Sequence, residues 1–213
     1  GTLDLAAARS RGIAVTNTPD TSADEVADLA LGLMLAVMRR IPEADRFVRA
    51  SAWGKETFPL GYALKDKLCG IVGLGNIGRG IAARAGACGM NVCYHGPRQK
   101  MDADFPYYAD IVAMARAADC LVIACPERPE TRHLVNGAVL EALGEEGFLV
   151  NIARGAIVDE TALIDALAKK TIAGAGLDVF ADEPRVPSAL IALENCVLSP
   201  HIGTSTREIR ATR

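Results

Sequence analysis

Three glycines, an arginine, two carboxylates and a histidine stand in this sequence where they could hold phosphate and move a proton. The glycines lie in Cys69-Gly70-Ile71-Val72-Gly73-Leu74-Gly75-Asn76-Ile77-Gly78, an apolar run that breaks into Gly-x-Gly-x-x-Gly and continues at helical spacing. In such a turn Gly73 makes the tight bend, Gly75 lets backbone approach a pyrophosphate, and Gly78 lets helix and strand pack closely. The phosphates then meet the N-terminus of the following helix, where Asn76 and Ile77 are expected to contact the cofactor. The other residues follow later apolar runs: Cys125-Pro126, Ile152-Ala153-Arg154-Gly155, Asp178 with Glu183 beyond it, and Ser199-Pro200-His201-Ile202-Gly203. A planar guanidinium matches a carboxylate in a two-bond fork, and an imidazole can give up a proton near neutral pH. Each also has an ordinary role when read singly: a strand-to-helix turn, an Arg before a helix, a turn cap at Asp178, a structural His.

Ligands of a doubly wound parallel sheet bind beyond the carboxyl ends of its strands, so these residues call for such a sheet. From Leu64 onward, strand and helix signals alternate as that fold requires. Strands are predicted at 68–72, 91–95, 119–125, 148–152, 174–179 and 196–199, with helices near 77–88, 135–143 and 159–169. The expected class is α/β, a Rossmann-type doubly wound parallel sheet over residues 64–200. Residues 1–63 read differently. A helix is expected at 4–11 and a short strand at 12–17, which Thr18-Pro19 breaks. A long helix then runs from Ser22 to about Arg40, with Ser22 and Glu25 as a capping box and Val26, Leu29, Ala30, Leu33, Met34 and Val37 on one face.

The second strand, Asn91 to His95, is followed by Gly96-Pro97-Arg98-Gln99-Lys100. An NAD-binding fold places an Asp or Glu there to grip the ribose 2′-hydroxyl. No carboxylate stands at this strand end to repel a 2′-phosphate, and Arg98 and Lys100 could pair with one. NADP, as NADPH, is therefore favoured over NAD; the alternative is a solvated basic turn.

Composition narrows the class. A net charge of −3 and an aromatic content of 5% give neither a basic stripe nor a stacking surface for nucleic acid. No apolar stretch is long enough to span a bilayer, and the face from Leu29 to Met38 ends at Arg39-Arg40. The six cysteines show no zinc-ligand spacing, so no metal is expected, and reduced thiols in a cytoplasmic compartment fit best. The chain starts at Gly1 without Met, so a targeting segment cannot be seen.

Four segments together resemble the D-2-hydroxyacid dehydrogenases: the glycine run at 73–78, Asn151-Ile152-Ala153-Arg154-Gly155-Ala156-Ile157-Val158-Asp159-Glu160, Gly176-Leu177-Asp178-Val179-Phe180-Ala181-Asp182-Glu183-Pro184, and Ser199-Pro200-His201-Ile202-Gly203. Within the family, residues 143–154 and the basic turn at Arg98 look most like the plant-type hydroxyphenylpyruvate and glyoxylate/hydroxypyruvate reductases. The resemblance implies reduction of a small 2-oxo acid to the D-2-hydroxy acid. By it, Arg154 holds the substrate's carboxylate and carbonyl oxygen, and His201 is the proton donor. Glu183 hydrogen-bonds the imidazole and orients it, much as a carboxylate orients the base of a triad. Asp178 would accept from the nicotinamide carboxamide, while Cys125, Pro126, Ile152 and Gly203 would lie along the cofactor. Glu127-Arg128 departs from the apolar and hydroxyl residues usual in the family loop.

The resemblance also implies a second, flavodoxin-like substrate domain, of which residues 1–63 and 201–213 would be parts, and a homodimer. The chain is accordingly read as truncated, with half of the substrate cleft outside it. A second class of function stays open: a catalytically inactive, dinucleotide-responsive binding protein of the same superfamily, since such binders can keep the Arg, Glu and His. Formate dehydrogenase is disfavoured because that branch pairs its histidine with Gln, and phosphoglycerate dehydrogenase because Gly96 replaces its usual acidic residue.

Overall fold

The computed structural model describes residues 3–16 and 22–211. In chain order the elements are α1 (Leu5–Ser10), α2 (Ala23–Met38), α3 (Ile41–Arg49), β1 (Leu68–Val72), α4 (Asn76–Ala87), β2 (Asn91–His95), β3 (Tyr107–Tyr108), α5 (Ile111–Ala117), β4 (Cys120–Ile123), α6 (Gly137–Leu143), β5 (Phe148–Asn151), α7 (Glu160–Ala168), β6 (Gly174–Leu177), α8 (Ser188–Ile191), β7 (Cys196–Leu198) and α9 (Arg207–Ala211). The strands form one sheet in the order β3-β2-β1-β4-β5-β6-β7, every pair parallel. The fold is the expected doubly wound α/β sheet, and its order reverses between β1 and β4, beside the glycine turn.

A parallel sheet is covered on both faces, so its strands read as unbroken apolar runs. Cys-Leu-Val-Ile in β4 and Phe-Leu-Val-Asn in β5 are buried along their whole lengths. One face packs on α5, α6 and α7 through Met114, Leu140 and Leu163. The other packs on α2 and α4 through Met34, Met38 and Ile81. α2 thus shares a core with the sheet. It is seated by glycines in β6: a Cβ on Gly176 would lie 3.0 Å from the Leu33 Cβ, and one on Gly174 2.8 Å from Val37 Cγ2. Arg84 of α4 also reaches Asp28 at 2.6 Å and Asp24 at 3.1 Å, tying the two helices at the surface.

All six cysteines are free thiols. Burial pushes Cys69 and Cys196 up to about 12 and Cys93 up to about 11, and holds Cys120 well above its ordinary value. Among the described residues no helix is long and apolar enough to cross a membrane, and no cluster of His, Cys, Asp and Glu could hold a metal ion.

The strand expected at 12–17 is not formed. Residues 13–16 take no regular structure and find no partner strand among the described residues, and Asn17 to Thr21 lie outside them. Ser22 occupies the N-cap of α2 without a side-chain cap bond, so the capping box is absent. Five elements, α3, β3, α5, α8 and α9, lacked a sequence signal strong enough to place them. α5 has only 7 residues, with Ile111, Met114 and Ala115 buried and Asp110 capping it onto Val112 N–H at 2.9 Å. β3 is a two-residue edge, and α3 buries none of its side chains.

Replacing Gly176 with Val should lift α2 off the sheet and lower unfolding free energy by about 1–3 kcal/mol, as overpacked cores do. Urea denaturation checks this; an unchanged midpoint would mean that α2 is not seated on β6.

Candidate functional site

The glycine turn joins β1 to α4, and each glycine answers a different neighbour. Gly73 has φ +101°, and a Cβ there would meet the Cys125 backbone nitrogen at 2.7 Å and its Cα at 2.8 Å. A Cβ on Gly78 would overlap the Gly73 carbonyl. Gly75 caps α4 in an extended conformation, and a Cβ there would meet nothing within 4 Å. Two of the glycines therefore serve the protein's own packing, whereas Gly75 leaves its space to whatever docks on the helix start, as a pyrophosphate would.

That turn borders a cleft lined by Ser22, Val26, Ile77, Ala124, Cys125, Pro126, Glu127, Ile152, Ala153, Arg154, Asp178, His201, Gly203 and Thr204. Most of the expected site residues meet here, at the carboxyl ends of β1, β4, β5 and β6. Arg98 does not line it: it is exposed on the turn after β2. Glu183 stands behind His201.

The Arg154 turn is set by a residue that sequence reasoning passed over. Asn151, 1% exposed at the end of β5, accepts from Ala153 N–H at 3.1 Å and donates from Nδ2 to the Arg154 carbonyl at 3.0 Å. A polar residue closing an otherwise apolar buried strand was the available signal. Gly155 then runs so close to the Phe180 and Ala181 backbone that a Cβ would overlap it. Arg154 itself is exposed, with Nη1 donating to the Ala153 carbonyl at 2.5 Å.

Asp178 is 1% exposed and takes three donors: Ser199 Oγ at 2.6 Å, Ile202 N–H at 2.9 Å and Gly203 N–H at 2.9 Å. Its carboxylate thus caps the 199–203 turn. The Asp178 carbonyl in turn accepts from His201 N–H at 2.9 Å. These bonds hold His201 in the left-handed region at φ +53°, a conformation costly for a residue with a Cβ.

His201 Nδ1 lies 2.7 Å from Glu183 Oε2, while Glu183 Oε1 accepts from Phe180 N–H at 3.1 Å. A carboxylate only accepts, so Nδ1 carries the hydrogen and Nε2 is left for other work. Partial burial would raise the Glu183 pKa, but the bond from His201, the bond from Phe180 N–H and the nearby charges of His201 and Arg154 outweigh it and hold it below the ordinary value. Glu160, at the start of α7, steadies the same loop by accepting from Ala181 N–H at 3.2 Å. Thr131 does so for the cleft's other wall: its hydroxyl donates to the Pro126 carbonyl at 2.9 Å and accepts from Arg128 N–H at 2.8 Å. Cys125, on that wall, is pushed up to about 11 by burial. Of the histidines outside the motifs, His133 is an exposed turn residue, but His95 ends β2 half-buried, with Nδ1 3.0 Å from the Tyr108 carbonyl.

Comparison with known proteins gives the family and the fold. The family model for the D-isomer specific 2-hydroxyacid dehydrogenase NAD binding domain matches residues 31–203. The chain is 48% identical over 208 residues to hydroxyphenylpyruvate reductase of Plectranthus scutellarioides, covering 98% of this chain and 66% of that protein. It is 47% identical, with the same coverage, to glyoxylate/hydroxypyruvate reductase A of Arabidopsis thaliana. Among solved structures, an NADPH-dependent glyoxylate/hydroxypyruvate reductase of Sinorhizobium meliloti, in complex with NADP and malonate, is 44% identical with a TM-score of 0.91, again over 98% of this chain and 66% of that one.

Two outcomes are expected. Gly78→Ala should lower stability by about 1–3 kcal/mol, whereas Gly75→Ala should hold it within about 0.5 kcal/mol and instead weaken dinucleotide binding in calorimetry. Because Glu183 ionises more readily when folded, its contribution is present above the ordinary value of 4.5 and is lost as pH falls through the lowered one. With the pair half open to solvent that contribution is at most about 1 kcal/mol, so the acid limb of the stability–pH curve should be slightly shallower in Glu183→Gln.

Proposed function

Because the chain belongs to the D-isomer specific 2-hydroxyacid dehydrogenase family, we propose that the protein reduces a small 2-oxo acid to the D-2-hydroxy acid with NADPH. The observation that carries this reading is the His201–Glu183 pair on the same cleft as Arg154. This chain covers 66% of the length of its plant relatives, and the activity is proposed for a protein of that length.

The bound nicotinamide would supply hydride to the carbonyl carbon. Arg154 would hold the substrate carboxylate and carbonyl oxygen in a two-bond fork, leaving the carbonyl facing His201. As negative charge gathers on the carbonyl oxygen, His201 would transfer its Nε2 proton there, completing the hydroxyl. Glu183 keeps the ring turned with Nε2 outward, and its negative charge offsets that of the imidazolium. The fit of a dinucleotide rests on the open space at Gly75, where the chain turns into α4. Gly73, Gly75, Asn76, Ile77 and Gly78 would cradle the pyrophosphate, with Cys125, Pro126, Ile152, Asp178 and Gly203 along the nicotinamide half.

NADP preference is supported by the strand end at β2, which offers no carboxylate and presents Arg98 and Lys100. The S. meliloti relative, titled NADPH-dependent, agrees with it. Hydroxyphenylpyruvate, hydroxypyruvate and glyoxylate are the substrates that the names of the relatives suggest. A cytoplasmic setting is supported by the six free thiols, and a homodimer by exposed apolar side chains at Ile41, Val48 and Trp53.

The test measures NADPH and NADH oxidation with the three acids, using this chain and a version extended to the length of its relatives. Turnover by the extended protein, falling more than about 100-fold in His201→Ala, is the expected result. Cofactor binding with no turnover of any of the three would overturn it in favour of a dinucleotide-responsive binding protein. Arg154→Lys should raise KM for the acid, since a lysine cannot form the fork.

A further inference from the structure

The turn that follows β2 is pinned at three points. Tyr94, 1% exposed in β2, turns its hydroxyl toward the turn and accepts from Lys100 N–H at 2.7 Å. Tyr107 of β3 donates its hydroxyl to the Gly96 carbonyl at 3.0 Å. The two rings lie against each other, with centroids 5.3 Å apart. Beyond the turn, Arg79 in the first turns of α4 holds Asp102 through the carboxylate at 2.8 Å and the carbonyl at 3.3 Å. Between these anchors Arg98 is exposed, and its side chain is without a partner among the described residues.

A buried phenol that spends its hydroxyl on the backbone of an exposed, basic turn does more than fill the core, because phenylalanine would fill the same space. The hydroxyls fix where Gly96 and Lys100 sit, and so fix the backbone from which Arg98 projects. Without them, a five-residue stretch holding one proline would sample many conformations, and a phosphate bound there would have to order it first.

We propose that Tyr94 and Tyr107 are positioning residues for cofactor selectivity: their hydroxyls hold the 96–100 turn ready to receive an adenosine 2′-phosphate on Arg98 and Lys100. This role rests on the proposed NADP preference. β3 then has a function despite its two-residue length, since pairing of Tyr107 with Tyr94 places the second hydroxyl against the turn.

The test uses two mononucleotide probes, 2′,5′-ADP and 5′-AMP, and reads the ratio of their dissociation constants by calorimetry on the parent, Tyr94→Phe, Tyr107→Phe and Arg98→Ala. A general loss of packing weakens both probes together; loss of the cradle weakens only 2′,5′-ADP. Each Tyr→Phe change should cut the preference for 2′,5′-ADP by about threefold to tenfold, the worth of one hydrogen bond, with 5′-AMP within about twofold. If Arg98→Ala removes the preference and neither Tyr→Phe change alters it, the positioning role is wrong and the NADP preference stands. If the parent binds both probes equally, the NADP preference itself falls, and the tyrosine role with it.

Discussion

All seven strands run the same way, and the site exists because of it. Parallel neighbours cannot be joined by tight hairpins, so each connection must cross a face of the sheet, and the helices that make those crossings bury both faces. The same polarity brings every strand out at one edge. Residues distant in sequence, from Gly73 to Gly203, are thereby gathered at that edge. The order reversal between β1 and β4 opens a crevice at that edge, and the packing of Gly73 against the Cys125 backbone keeps its two walls in register.

Within the crevice, backbone polar groups are organised by a few buried side chains. Asn151 fixes the turn that presents Arg154, and Asp178 fixes the turn that presents His201. Holding a histidine at positive φ costs on the order of 1 kcal/mol. Here that strain is offset by hydrogen bonds from Ser199, Ile202 and Gly203 into one carboxylate. Gly155, beside Arg154, packs on the backbone of residues 180 and 181, and the 199–203 turn is bonded to Asp178 of the same segment, so the guanidinium and the imidazole are referred to a common backbone rather than to independent loops.

Much of this was legible in the sequence because it depends on local rules. Continuous apolar runs announced the six longer strands, and the spacing of Gly73, Gly75 and Gly78 announced the turn. Arg154, Glu183 and His201 could be picked out because they follow strand ends in recognisable company. What escaped depends on tertiary neighbours. β3 has too few residues to carry a period, and α5 is one short turn longer than noise. Residues 13–16 have strand-like side chains but no partner strand among the described residues, and propensity without a partner does not make a strand. The hydrogen bonds of Asp178 come from a turn that begins 21 residues later, which no local spacing announces. No spacing rule links Tyr94 to Lys100 or Asn151 to the carbonyl of Arg154; only the folded chain brings each pair into contact.

The cysteines of the sheet give the fold an internal clock. Cys69, Cys93 and Cys120 lie at 0% exposure on three adjacent strands, and a buried thiol reacts only when its surroundings open. The rate at which an alkylating reagent consumes these groups under native conditions therefore records how often β1, β2 and β4 part, strand by strand. A protein with no disulfide to hold its core together thus carries, in the same residues, a built-in reporter of how seldom that core comes apart.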